Sequence, residues 1–262
     1  MNPSELRELL EERYLIYNQP SFIEADPVSV PHLFSEKGDI EISGFLSALI
    51  AWGQRKTIVQ NAFRLMDMMD REPLRFVLEA SEEELARLDR FVHRTCNGTD
   101  MRALVLSLRR VYSEMGGLEA VFSMGMQPGD PTVYHGIVQA RAALVSRPGF
   151  PGRTRKHLAD PSSGSSAKRI NMFLRWMVRS DRRGVDFGIW NRIQPSQLIC
   201  PLDVHTGNVA RHLGLLRRSP NDWKAAIELT ERLRELCPED PVKYDFSLFG
   251  MGVFEGQGSG NS

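Results

Sequence analysis

Cysteine is scarce in this chain: Cys96, Cys200 and Cys237 are the only three, widely spaced and odd in number. That argues against a disulfide framework, excludes a four-cysteine iron–sulfur centre within this chain, and fits a reducing compartment. An excess of either charge is missing too, with 33 Lys and Arg against 33 Asp and Glu. A globally basic nucleic-acid binder is therefore ruled out, and any phosphate-binding surface must come from local segregation of charge. No apolar run approaches a membrane span. The start, MNPSELRELLEERY, is charged and amphipathic and lacks the apolar core of a signal peptide. A cytoplasmic protein with no membrane partner is the expectation. Strict apolar/polar alternation rich in Val, Ile and Thr is also rare, which leaves little for a sheet.

What is present is helix. Asp26-Pro27, Asp130-Pro131 and Asp240-Pro241 each set a capping carboxylate before a proline at a first helical position. Ser81 followed by Glu84, and Ser219 followed by Asp222, have capping-box spacing. Apolar residues then recur at helical intervals, as in Leu6, Leu9 and Leu10, Phe45, Leu46 and Leu49, and Leu229, Leu233 and Leu236. This spacing predicts helices near 4–18, 27–34, 40–52, 55–69, 73–79, 82–88, 99–114, 131–146, 167–180, 204–216, 220–236 and 241–250. Residues 147–166 and 181–202 read as loops, the second with one short helical turn, and the tail 255–262 as disordered.

Charge is segregated in one stretch. Residues 141–184 hold eleven Arg or Lys and only two acids, Asp160 and Asp181. Phosphate binding needs such segregation, because affinity for duplex comes largely from counterion release. A solvated basic loop would look the same in sequence. His93 and Cys96 have ligand-like spacing but no second pair, so no metal is expected.

Three blocks carry chemistry. ISGFLSALIAWGQRKTIVQNAFRLM (42–66) is an apolar helix, a short break and a second helix. SSGSSAKRINMFLRWMV (162–178) is a turn of small residues feeding a helix that opens at Lys168. PLDVHTGNVARHLGL (201–215) places Asp203 at a helix start. In this order they resemble the helix-hairpin-helix (HhH-GPD) superfamily of DNA glycosylases, which includes endonuclease III and the oxoguanine glycosylases. The resemblance covers roughly residues 40–250 and is most specific at Asp203-Val204-His205. It departs at the hairpin, expected about 158–180, where one glycine stands in place of the usual Leu-x-Gly-x-Gly.

The resemblance implies an all-α fold of two helical lobes with an intervening cleft. One lobe would be 38–198 and the other 1–37 with 199–254. It implies a monomer acting on double-stranded DNA without a cofactor, as a base-excision N-glycosylase with or without AP-lyase activity. An oxidised purine is the lesion suggested by the oxoguanine branch. Asp203 would stabilise the oxocarbenium character of the sugar, and Lys168 would be the nucleophile. Gln54, with Trp52 beside it, would fill the vacancy left by a flipped base, and Arg55 would be a further DNA contact. Ser163, Gly164, Ser165, Arg169 and Arg211 would contact phosphate, and Phe246 and Phe249 would stack on the extruded base. Each role has a structural rival. Asp203 also reads as an N-cap, Lys168 as a phosphate grip, Gln54 as a polar residue ending a helix after Gly53, and the phenylalanines as core. Two other functions stay open: a non-catalytic DNA-binding protein on this fold, and a helical interaction protein whose arginines are buried against acids.

Overall fold

The computed structural model describes residues 2–256. Among the described residues the protein is all-α apart from one two-stranded hairpin, and it falls into two compact units. At that coarse level it agrees with the two-lobed fold of the helix-hairpin-helix glycosylases. Among the described residues no helix is long and apolar enough to cross a membrane.

One unit comprises 23–128 and 134–159. Helix α2 (Lys37–Leu49) is buried from Ile40 onward, as expected of a helix that is apolar nearly all round. Packed in the same unit are α3 (Arg55–Met68), α4 (Pro73–Glu79), α5 (Glu82–Ala86), α6 (Gly98–Glu114), α7 (Leu118–Met124) and α8 (Tyr134–Val145). Strands β1 (Val92–His93) and β2 (Cys96–Asn97) pair antiparallel, His93 opposite Cys96, and lead into α6. The Asn97 side chain accepts from Asp100 N while Asp100 accepts from Asn97 N, a capping box that starts α6.

The other unit comprises 2–22, 129–133 and 160–256 of the described residues. Its centre is α9 (Lys168–Val178), buried from Ile170 to Val178. Around it lie α1 (Pro3–Tyr17), α10 (Val204–His212), α11 (Trp223–Leu236) and α12 (Asp245–Phe254). Helix α12 packs on α1 and α10. Gly250 permits the first contact, since a Cβ there would lie 2.1 Å from the Tyr17 ring.

Most expected helices are present; the exceptions have local causes. The expected helix 27–34 is two 3-10 turns, Pro27–Ser29 and Pro31–Leu33, because Pro31 has no N–H to continue a ladder. Helix α10 stops at His212, and Gly214 turns the chain at φ +72. Helix α11 is capped by Asp222 rather than Ser219. Helix α7 and the hairpin were not foreseen. The unit boundaries also differ from the expected 38 and 198. Residues 160–198 pack with the C-terminal helices because α9 is the core of that unit, and the segment 23–37 joins the other through fully buried Val28 and Val30. Of the expected disordered tail, Glu255 is held by Tyr17 Oη at 2.6 Å and Arg13 Nε at 2.7 Å. Residues 257–262 of that expectation lie outside the described residues.

Candidate active site

The turn at 160–167 places Lys168. Asp160 organises it: its carboxylate accepts from Ser162 N at 3.0 Å, and its carbonyl accepts from Ser163 N, Ser165 N and Ser163 Oγ. Gly164, at φ +93, reverses the chain, and its carbonyl accepts from Trp223 N at 2.9 Å. Ser166 Oγ donates to Leu202 O at 3.3 Å, which ties the turn to the residue before Asp203.

Asp203 is the N-cap of α10: Oδ1 accepts from Thr206 N at 2.9 Å. Its carbonyl is held by Asn221 Nδ2 at 2.9 Å. Its other oxygen, Oδ2, faces Lys168 Nζ at 3.3 Å. The two side chains are 27% and 22% exposed, so solvent reaches both. Fixed by a cap on one side and a turn on the other, this pair can bind a cationic or electrophilic centre or exchange a proton.

Beneath it lies a buried ionic network that sequence reasoning missed. Arg175, on α9, pairs with Asp186 at 3.2 Å and with Asp245 at the start of α12. One turn on, Arg179 meets Asp181 at 2.7 Å, Asp186 at 2.9 Å and Asp240 at 2.8 Å, and donates to Tyr14 Oη at 2.8 Å. Burial pushes the Asp245 carboxyl up to about 6; Arg175 opposes that, the negative charge of Asp203 adds to it, and Lys168 opposes it. Asp245 therefore senses both members of the exposed pair. Burial holds the Cys200 thiol well above its ordinary range, so it is no nucleophile. The signal for this network was available in the sequence: two arginines four residues apart along the apolar run that ends α9, Arg175 within the helix and Arg179 at its C-cap.

Other expected site residues have different surroundings. Phe246 is only 1% exposed and is sandwiched in the core, with Arg175 Cζ 4.1 Å above its ring and Phe22 at 5.4 Å. It is not a base platform, because no face is open. Phe249 is half-buried with its ring 6.2 Å from Phe22. Arg211 directs its guanidinium inward, to Arg218 O at 3.0 Å, Ser219 O at 2.6 Å and Asn221 Oδ1 at 2.6 Å, which closes the turn after α10. The amides of Ser162, Ser163, Gly164 and Ser165 are likewise consumed within their own turn, so they do not present the open N–H cradle of a glycine hairpin. Arg169 is half-buried in the first turn of α9.

Trp52, Gln54 and Arg55 lie in the other unit. Gln54 is exposed and caps α3 without a side-chain bond. Trp52 is half-buried, its carbonyl accepts from His93 Nε2 at 3.1 Å, and Arg94 Cζ sits 4.7 Å over its ring. Cys96 is not grouped with His93, which bonds Asn61 at 2.9 Å. Cys96 instead lies with Asp100 and His157, all buried, with one ligand-type atom from each within 4.8 Å of the others. A thiolate, a carboxylate and an imidazole form a donor set suited to a borderline metal such as zinc. Here Asp100 already accepts from Thr154 Oγ1 at 2.7 Å and pairs with Arg153 at 3.1 Å, so an ion would have to displace Arg153.

Over residues 26–254 the chain matches the model of a family described as a protein of unknown function (DUF2400). No curated protein and no solved structure matches it.

Proposed function

This chain belongs to the DUF2400 family, and we propose that it acts as a DNA N-glycosylase of the base-excision type, with Lys168 as nucleophile and Asp203 as its electrostatic partner. The observation that carries the reading is the 3.3 Å contact between a solvent-reached ammonium and a carboxylate that the turn and α10 bring together from distant sequence. In this chemistry Lys168 Nζ first gives up a proton, for which Asp203 Oδ2 is the acceptor at hand. The amine then forms a bond to C1′ of the damaged nucleotide as the glycosidic C–N bond breaks. The base departs with the electron pair and is protonated. Asp203, anionic again once that proton passes on, stabilises the positive charge that develops on the sugar. Opening of the sugar ring gives a Schiff base, from which β-elimination cleaves the strand. A monofunctional version uses water in place of the amine and keeps the same role for Asp203.

Trp52, Gln54 and Arg55 are proposed DNA contacts on the other unit, with Arg169 and Ser163 near the pair. An oxidised purine is the proposed lesion, on the resemblance to the oxoguanine branch alone. Borohydride trapping on duplexes with single lesions tests the reading. Wild-type protein should give a covalent adduct that Lys168→Ala abolishes. No adduct with any lesion, together with unchanged base release after Lys168→Ala, removes the lysine from the mechanism, and no base release at all removes the glycosylase.

A second reading is a non-catalytic DNA-binding protein on the same fold. It is favoured by the inward-facing amides at 162–165 and by the cap that Asp203 makes to its own helix. Salt-dependent duplex binding without base release on any lesion would select it.

A further inference from the structure

Three short segments of the unit built on α2 converge without a single carboxylate among them. They are 52–57 (WGQRKT), 92–97 (VHRTCN) and 152–157 (GRTRKH), and they hold Arg55, Lys56, Arg94, Arg153, Arg155 and Lys156. The hairpin joins them. On one side Arg94 lies over the Trp52 ring, and a Cβ on Gly53 would come within 2.9 Å of its guanidinium. On the other side Arg153 donates to Thr95 O at 3.3 Å while paired with buried Asp100. Arg94, Thr95, Lys56, Arg155 and Lys156 are exposed.

Arg94 also stands at a costly position. It has φ +54 in the two-residue turn between β1 and β2, where glycine is favoured and a side chain costs on the order of 1 kcal/mol. Stacking of its guanidinium on Trp52 offsets part of that and fixes the side chain at the tip. In a chain with no net charge, the exposed Lys56, Arg94, Arg155 and Lys156 from three segments form a local concentration of positive potential.

We propose that this hairpin platform is a phosphate-binding surface for duplex DNA, with Arg94, Arg155 and Lys156 neutralising backbone phosphates. The choice of DNA rests on the base-excision reading; the anion site itself rests on the convergence of the three segments. Phosphate contacts fix a protein's register on the duplex, which needs cations held in place, and Trp52 holds Arg94 so.

The test is duplex binding by the full chain across a salt series. Arg94→Gly suits the left-handed backbone, and Arg155→Ala/Lys156→Ala removes two exposed side chains, so the fold should survive both; thermal melting checks this. Loss of each cation should lower the log–log salt slope by about one and weaken binding on the order of tenfold at 0.1 M salt. Arg232→Ala, which removes an exposed arginine paired with Glu235 in the other unit, should leave the slope unchanged. Wild-type slope and affinity in both Arg94→Gly and the double variant would overturn the inference, as would an absence of salt-dependent duplex binding by the wild type. Loss of trapping in Lys168→Ala with the platform slopes as expected bears on the excision mechanism alone, so the two proposals fail separately.

Discussion

Replacing Asp203 by Asn and by Ala separates its two possible roles. One oxygen caps α10 and the other pairs with Lys168 at 3.3 Å. At that separation the gross Coulomb attraction runs from ~1 kcal/mol in water to ~5 kcal/mol at an effective dielectric near 20. Both side chains are about a quarter exposed, so after screening and side-chain ordering the net contribution is on the order of 1 kcal/mol. Asn keeps the capping oxygen, whereas Ala loses it at about 1 kcal/mol more. For a chain of this length 1 kcal/mol corresponds to roughly 2–4 °C in Tm. Asp203→Asn should therefore melt about 2–4 °C below wild type and Asp203→Ala about 4–8 °C below it. If the carboxylate stabilises a developing sugar cation, both variants should lose on the order of 10²–10³ in single-turnover base release, although only one has lost the cap. The measurements are calorimetric melting and single-turnover excision on the duplex that traps best. Near-wild-type excision by Asp203→Asn would reduce the carboxylate to a helix cap, and equal melting of the two variants would show that the cap contributes nothing.

Other consequences follow from the same unit and its neighbour. Asp245 holds its proton up to about pH 6 in the folded chain, against about 4 for an ordinary carboxyl. Its contribution to stability is thus fully present below about pH 4 and is lost as pH rises through 6. Wild-type Tm should accordingly gain on that of Asp245→Asn between pH 7.5 and pH 5, and parallel Tm–pH curves would contradict the assignment. Arg179→Met removes the guanidinium shared by Asp181, Asp186 and Asp240, leaving Asp186 to Arg175 and Asp240 without its arginine, and should cost about 3–5 kcal/mol in urea denaturation. A loss below 1 kcal/mol would mean that the network is dispensable. Cobalt(II) should give a thiolate-to-metal absorption band that Cys96→Ser abolishes and that Arg153→Ala strengthens by freeing Asp100. No band in either wild type or Arg153→Ala would restrict this group to hydrogen bonding.

Helix was legible in this sequence because its signals are local. The capping at Ser81 and the apolar periods of α2, α6 and α11 depend on neighbours three or four residues away, and the folded chain honours them. Lys168 and Asp203 could be singled out by their positions at helix starts, and no local rule says that those starts meet. Ser166 Oγ on Leu202 O and Trp223 N on Gly164 O bring them together. Tertiary packing alone also decided which cations face water: of the basic residues in 141–184, Arg175 and Arg179 were drawn into the core by four aspartates, while Arg155 and Lys156 stayed outside. A charge count along the chain cannot separate them, since burial depends on partners contributed by distant segments. The same holds for Phe246, whose ring is covered on one side by Arg175 and closed in by Phe22 from the N-terminal segment. Sequence fixes what each helix can offer; the three-dimensional neighbours determine which of those offers remain open to a ligand.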